Sequence, residues 1–348
     1  MSRNALILSV FFALGLPVLQ GRADDSFFLP VTNALSRVVV VTNTNALSDF
    51  QPLPGIVQNM VDRGIATLAA TPTPPAAWRT FVSTNDIVGI KVFSAGGEIS
   101  GTRPAVVAAV VRGLLAAGLP AQHIVIWDKD RDDLRAAGYF ALGRQLGVRV
   151  ASGTAVGYDP TNFYLPESPV IGTLHYGDLE FGKKGDDVGK KSFVSRLVSR
   201  ELTKIISIAP LLNNNDVGVY GQLYNVALGS VDNTYRFEED ANRLAIAVPE
   251  IYALPSVGDK VVLNITDALL GQYEGGPKGL LQYSDVLDQL WFSRDPVALD
   301  TLAVRKLEEE RLFHQAAEFT VQTDVYTNAA LLELGFNDPA KISVERIQ

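Results

Sequence analysis

The chain has no cysteine in 348 residues. That absence excludes disulfides, thiolate-bound zinc, cysteine-ligated iron–sulfur clusters and thiol nucleophiles together. The fold is therefore held by its core alone. Histidine is scarce as well. His123, His175 and His314 are the only three, and they form neither His-x-His nor His-Glu-x-x-His, so a histidine-bound zinc is not expected. The Gly-x-Ser-x-Gly pattern of a nucleophile elbow is missing. The glycine-rich stretch "SAGGEISGT" (94–102) matches neither the dinucleotide fingerprint nor the phosphate loop, because no lysine follows Gly101. Positive charge is also in short supply: 30 Lys and Arg stand against 38 Asp and Glu, for a net charge of −8. A chain without a positive field has little to draw nucleic acid or anionic lipid.

What is present is a large apolar fraction, 47%, ample for a packed core, in a chain long enough for one large domain or two intimate ones. The first residues stand apart from it. A short basic start (Met1-Ser2-Arg3) leads into "ALILSVFFALGLPVL" (5–19), too short for a comfortable membrane span. Small residues Gly21 and Ala23 follow. This predicts a secretory signal peptide over residues 1–23 and an exported protein, periplasmic or extracellular, with no stable membrane anchor after cleavage. Cleavage removes Arg3 and Arg22 and no acid, taking the formal charge from −8 to −10.

Residues 24–348 read as a single α/β domain. "DIVGIKVF" (86–93) is a buried strand, the loop 94–102 follows, and "TRPAVVAAVVRGLLAAG" (102–118) is a helix with Thr102 as its N-cap, Pro104 in its first turn and Gly118 as the stop. "HIVIWDKD" (123–130) is a second strand, 131–147 a second helix and "VRVAS" a third strand. Such alternation predicts a mostly parallel, Rossmann-like sheet with helices on both faces. Further strands are expected at 202–212, 259–267 and 290–295. Helices are expected within 236–253, over 295–312 with Asp295 as cap and Pro296 behind it, and within 316–335. "TPTPPAAW" (71–78) reads as a surface connection. Residues 153–200, rich in glycine and charge and including "GKKGDDVGKK" (182–191), read as an insertion or rim.

Polar residues gather just after the apolar runs: Lys91, then Asp128 and Asp130, then Asn213 to Asp216, then Asp267. Ligands bind outside the carboxyl ends of parallel strands, so these groups are expected to converge. Lys91 with Gly96, Gly97 and Thr102 would hold an anion at a helix start. Asp128, Asp216 and Asp267 would hold a hard cation, Mg²⁺ or Ca²⁺, or serve as acid and base. Asn213, Asn225, Gly275 and Gly276 would complete a small-molecule site, with "NITDALLGQYEGGPKG" (264–279) as one wall. Each has a plain alternative: a paired lysine, capping acids and a tight turn. Asp295 is expected to be a helix cap only, and Asp300 could face either way. Of the histidines, His175 is the one in a polar region.

These motifs in this order resemble the domain-of-unknown-function family 362. The resemblance covers about residues 85–305 and is carried by the stretch 86–118, "HIVIWDKD", "LTKIISIAPLL", "YNVALGSV", "NITDALLGQYEGGP" and "FSRDPVALDTLA". It implies an α/β fold but no settled activity. Lys91, Asp267, Gly275, Gly276, Asp295 and Asp300 match the family pattern. The chain departs from it in lacking the cysteines of a ferredoxin-like segment. It also has Asn213, Asn214 and Asn215 where relatives carry Lys-x-His, and Tyr224 where they carry a lysine before the asparagine. Two functions stand side by side: an exported enzyme or enzyme relative acting on a small anionic metabolite, with Lys91 and Asp267 catalytic, and an exported binding protein using the same cleft without chemistry.

Overall fold

The computed structural model describes residues 36–238, 240–276, 278–316 and 322–348. The expected signal peptide and its cleavage site lie outside them. Eight stretches form the main sheet: β1 (Ser36–Thr42), β2 (Val88–Val92), β3 (Ile124–Asp128), β4 (Arg149–Ser152), β5 (Lys204–Asn214), β6 (Val261–Gln272), β7 (Ser284–Ser293) and β8 (Ile342–Ile347). Their order across the sheet is β8-β1-β7-β6-β5-β2-β3-β4, and Gly218–Val219 adds a ninth, two-residue strand beside β5. All neighbours in that row are parallel except β7, which runs against both β1 and β6. The expected mostly parallel α/β sheet is present.

The central strands are apolar on both sides because both sides are covered. Helices α1 (Pro54–Ala69) and α2 (Pro104–Ala116) pack on one face, against Ile90, Val92, Ile206, Ile265 and Phe292. Helices α3 (Gln222–Ser230), α4 (Ala241–Tyr252) and α5 (Pro296–Phe313) cover the other, against Trp127, Ile205, Ala268 and Trp291. Alternation along a strand therefore decides which core each side chain enters. The chain builds outward from β2 through β3 to β4, then returns to place β5 and β6 on the other side of β2. The carboxyl end of β2 is thus a topological switch point.

Several boundaries differ from the sequence reading. The helix expected over 131–147 is two, Arg131–Ala136 and Tyr139–Leu146, broken at Gly138 with φ +77°. "TPTPPAAW" is not a surface connection: it forms a short helix whose Trp78 is fully buried, and a Cβ on Gly113 of α2 would lie 2.2 Å from its ring. The strand expected at 290–295 starts at Ser284 as an antiparallel insertion between β1 and β6. The 153–200 region supplies a separate antiparallel pair, Tyr158–Tyr164 with Ser192–Ser195, and irregular chain between them. Residues 183–187 of the charged run are exposed, as a solvated loop should be.

Candidate functional site

Lys91 lies between Ile90 and Val92, whose side chains enter the α1–α2 core, so its own side chain enters the opposite face, toward α3. It is 1% exposed. Its Nζ donates to Asp128 Oδ1 (2.6 Å), Asn225 Oδ1 (2.7 Å) and the Val92 carbonyl (2.7 Å), with the Trp127 ring 5.5 Å away. Three acceptors use all three ammonium hydrogens. Burial pushes the Lys91 pKa down, and the Asp128 charge opposes that. Asp128 is equally committed. Besides Lys91, Oδ1 accepts from the Lys129 backbone N–H (2.7 Å), and Oδ2 accepts from the Ser94 N–H (2.8 Å) and hydroxyl (2.7 Å). The three motifs that supply Lys91, Asp128 and Asn225 meet here, although the chain separates them by up to 134 residues.

Helix α3 comes this close because residue 229 is glycine. A Cβ there would sit 2.1 Å from Lys91 Cε and 2.6 Å from its Nζ. The start of α3 is held by Asp300, 2% exposed, which accepts the Gln222 and Leu223 N–H groups at 2.7 and 2.9 Å. Burial pushes Asp300 up to about 7, with those two N–H groups opposing. Asp295 caps α5 through the Ala298 N–H (2.9 Å), as expected, and also accepts the Phe336 N–H (3.0 Å).

Above the Lys91 network opens a cavity of about 360 Å³. Its floor is Lys91, Asp128 and Asn225; its walls come from the chain after β3, from α3 and the 234–238 turn, and from His175 to Asp178 of the insertion. Lys129, partly buried, bonds Thr234 Oγ1 at 2.6 Å. Its pKa is pushed down by burial, and the carboxylates of Glu238, Asp178, Asp232 and Asp128 oppose that. Asp133 is pushed up by burial and then by Asp130 and Asp128. Asp232, just behind the wall, is pushed up to about 6 by burial. His175 lies against the Tyr235 ring at 4.2 Å. Two lysines face five carboxylates across this lining, so the cavity is not suited to a bare anion.

The other expected site residues go elsewhere. Asp267 is fully buried, but it shares the face of Ile265 and lies under α2. There it accepts Arg103 Nη1 and the Arg103 backbone N–H, both at 2.9 Å, and the Leu269 N–H at 3.3 Å. Lys91 and Asp267 are thus at the same edge of the sheet on opposite faces, and Asp267 is a structural anchor for the start of α2. Asp216 is exposed and does not line the cavity. Asp128, Asp216 and Asp267 therefore do not assemble the expected cation site. Among the described residues, the group whose donor atoms do gather, within 4.8 Å, is Asp285, Glu310 and His314.

Thr102 does not cap α2, whose N-cap position is Arg103; its hydroxyl is used across the sheet instead, donating to the Ile208 carbonyl (2.6 Å) and accepting from the Phe93 N–H (3.0 Å). Gly96 and Gly97 lead into a four-residue helix, Gly97–Ser100, and do not line the cavity. Gly275 and Gly276, at φ +94° and +62°, belong to a tight turn. That turn is wound around Gln272, whose Nε2 donates to the carbonyls of Glu274, Gly276 and Lys278. Asn213 Oδ1 accepts the Gly276 N–H (3.1 Å) and fixes the turn to the end of β5. Residues 264–272 are thus the last part of β6 and run into this braced turn, and none of the described residues of 264–279 lines the cavity above Lys91. Of the expected ligand residues, Lys91, Asp128 and Asn225 are at the cavity, and His175 joins them. Thr234, Glu238 and Gly229 were not anticipated, since only the packing of α3 and the chain that follows it brings them to β3; Lys129 follows Asp128 directly and was legible only as its neighbour.

No protein-family model and no curated protein matches this sequence. Among solved structures it is similar to the crystal structure of a Thermotoga maritima protein, with 12% identity and a TM-score of 0.41. The alignment covers 78% of this chain and 61% of that one.

Proposed function

We propose that this chain is an exported, cysteine-free relative of the domain-of-unknown-function family 362 that binds a small polar metabolite in the cavity above Lys91. The observation that carries this reading is the buried Lys91–Asp128–Asn225 network at the floor of a polar cavity, at the switch point of a parallel sheet. Burying an ion pair brings little net stability compared with apolar packing, so its cost is better accounted for by a site it shapes. Lys91 acts there as a positioning group, since its ammonium has no hydrogen left for a ligand. Binding is favoured over catalysis because the floor groups are all hydrogen-bonded to one another. An enzymatic reading draws support from Lys129, whose depressed proton affinity beside Glu238 suits proton transfer.

The test is a thermal-melt panel of charged metabolites against the mature chain and its Lys129→Met and Thr234→Val variants. A ligand present at about a hundred times its Kd adds about 2.7 kcal/mol of stability. The expected result is a ligand whose stabilisation both variants weaken, without turnover. Turnover of that ligand would convert the reading to the enzymatic one. Ligands that stabilise parent and variants equally would remove the cavity from consideration.

A further inference from the structure

The cavity carries two kinds of unused polar group, and they are of opposite sign. Lys129 Nζ has one hydrogen-bond partner, Thr234 Oγ1, which leaves two N–H donors for a ligand. On the acidic side, the Asp133 and Glu238 side chains line the cavity and have no hydrogen-bond partner among the described residues. Asp130 differs, because one oxygen already caps the Asp132 and Asp133 N–H groups. Asp178 is spent on the backbone of His175 and Asn233. These lining carboxylates do not bring three donor atoms to one point, as a bare metal ion requires; the described residues that do so lie elsewhere. A spread of carboxylates suits an organic ammonium instead, and aromatic faces reinforce that preference. Phe93, Tyr224 and Tyr235 supply such faces within the same lining. Tyr220 packs behind Phe93 and Tyr224 at 4.9 and 5.0 Å between ring centres.

We infer that the ligand is zwitterionic, an amino-acid-like molecule whose carboxylate pairs with Lys129, whose ammonium faces Asp133 and Glu238, and whose apolar group lies against Phe93 and Tyr224. This inference rests on the cavity being the ligand site. The cavity's size, about 360 Å³, accommodates a molecule of that class with a ring. Both ends are needed. A bare anion meets an excess of carboxylates, and a bare cation meets Lys129, so each loses to the molecule that carries both charges.

Three probes with one shared ring separate the contributions: L-phenylalanine, phenethylamine without the carboxylate, and 3-phenylpropionate without the ammonium. Calorimetric titration of the mature full-length chain should show phenylalanine binding at least roughly tenfold tighter than either truncated probe, the usual scale of one charged hydrogen bond. Lys129→Met should erase the preference for phenylalanine over phenethylamine. Asp133→Asn should reduce the preference for phenylalanine over 3-phenylpropionate. Circular dichroism melts of each variant confirm that the fold is retained. If 3-phenylpropionate binds as well as phenylalanine and Lys129→Met weakens it, the zwitterion is wrong and the cavity reading survives. If any probe binds equally to parent and to both variants, the cavity itself is the wrong place. If no probe binds, the inference is overturned, while the broader metabolite panel still decides the cavity.

Discussion

Replacing Gly229 by alanine adds a single methyl group in the last turn of α3, and two effects of known size compete. Alanine is the better helix former by about 1 kcal/mol. Against that, the new Cβ would lie 2.1 Å from Lys91 Cε and 2.6 Å from Nζ. A flexible lysine tip would ordinarily swing aside at little cost. This one is 1% exposed and held by three acceptors, so moving it breaks a buried ion pair, which costs about 3–5 kcal/mol. The clash wins, and Gly229→Ala should lose roughly 2–4 kcal/mol, a fall in Tm of about 3–6 °C for a domain of this size. Urea unfolding at neutral pH measures the loss. The same substitution made in a Lys91→Ala background has nothing to strike. There it should be neutral or stabilising by about 1 kcal/mol, giving a large coupling between the two sites. A single variant as stable as the parent, or two substitutions that simply add, would refute the packing described here.

Three more outcomes follow from the same geometry. Arg103→Met strands the fully buried Asp267 carboxylate, so it should cost about 3–5 kcal/mol in chemical denaturation; because it acts on the far face of the sheet, ligand affinity at the cavity should be unchanged. Asp300, pushed up to about 7 in the folded protein, holds its proton more tightly folded than unfolded, where the carboxyl pKa is about 3.9. Its contribution to stability is therefore full below pH 4 and is lost as pH rises through about 7, by at most about 4 kcal/mol; Asp300→Asn should flatten that slope relative to the parent in urea melts at pH 4.5 and 8, whatever its overall cost. Gln272→Ala removes the donor to the carbonyls of Glu274, Gly276 and Lys278 and should destabilise by about 1–3 kcal/mol, with hydrogen exchange rising first at the Gly276 and Leu280 amides.

Much of the scaffold was legible in the sequence because its signals are local. β-branched runs at 86–93, 123–130, 202–212 and 259–267 become strands wherever both faces are covered. Pro104 and Pro296 mark helix starts through their fixed φ, and Asp295 is the cap its position before Pro296 implies. The antiparallel β7 was not legible in this way, since the apolar pattern of "LWFS" says nothing of direction. The burial of Trp78 was equally hidden behind a proline-rich composition that reads as surface.

By itself the sequence determined most of the side chains that would stand at the carboxyl edge of the sheet: Lys91, Asp128 and Asn213 lie at or near strand ends there, while β6 runs on five residues beyond Asp267, the expected strand end. Only the tertiary structure decided which of them meet. Consecutive strand residues point to opposite faces, so Asp267 turns under α2 to Arg103 while Lys91 turns under α3 to Asp128 and Asn225. A one-dimensional pattern carries the edge. The face, and the long-range approach of α3 through Gly229, exist only once the strands are paired and the helices packed upon them.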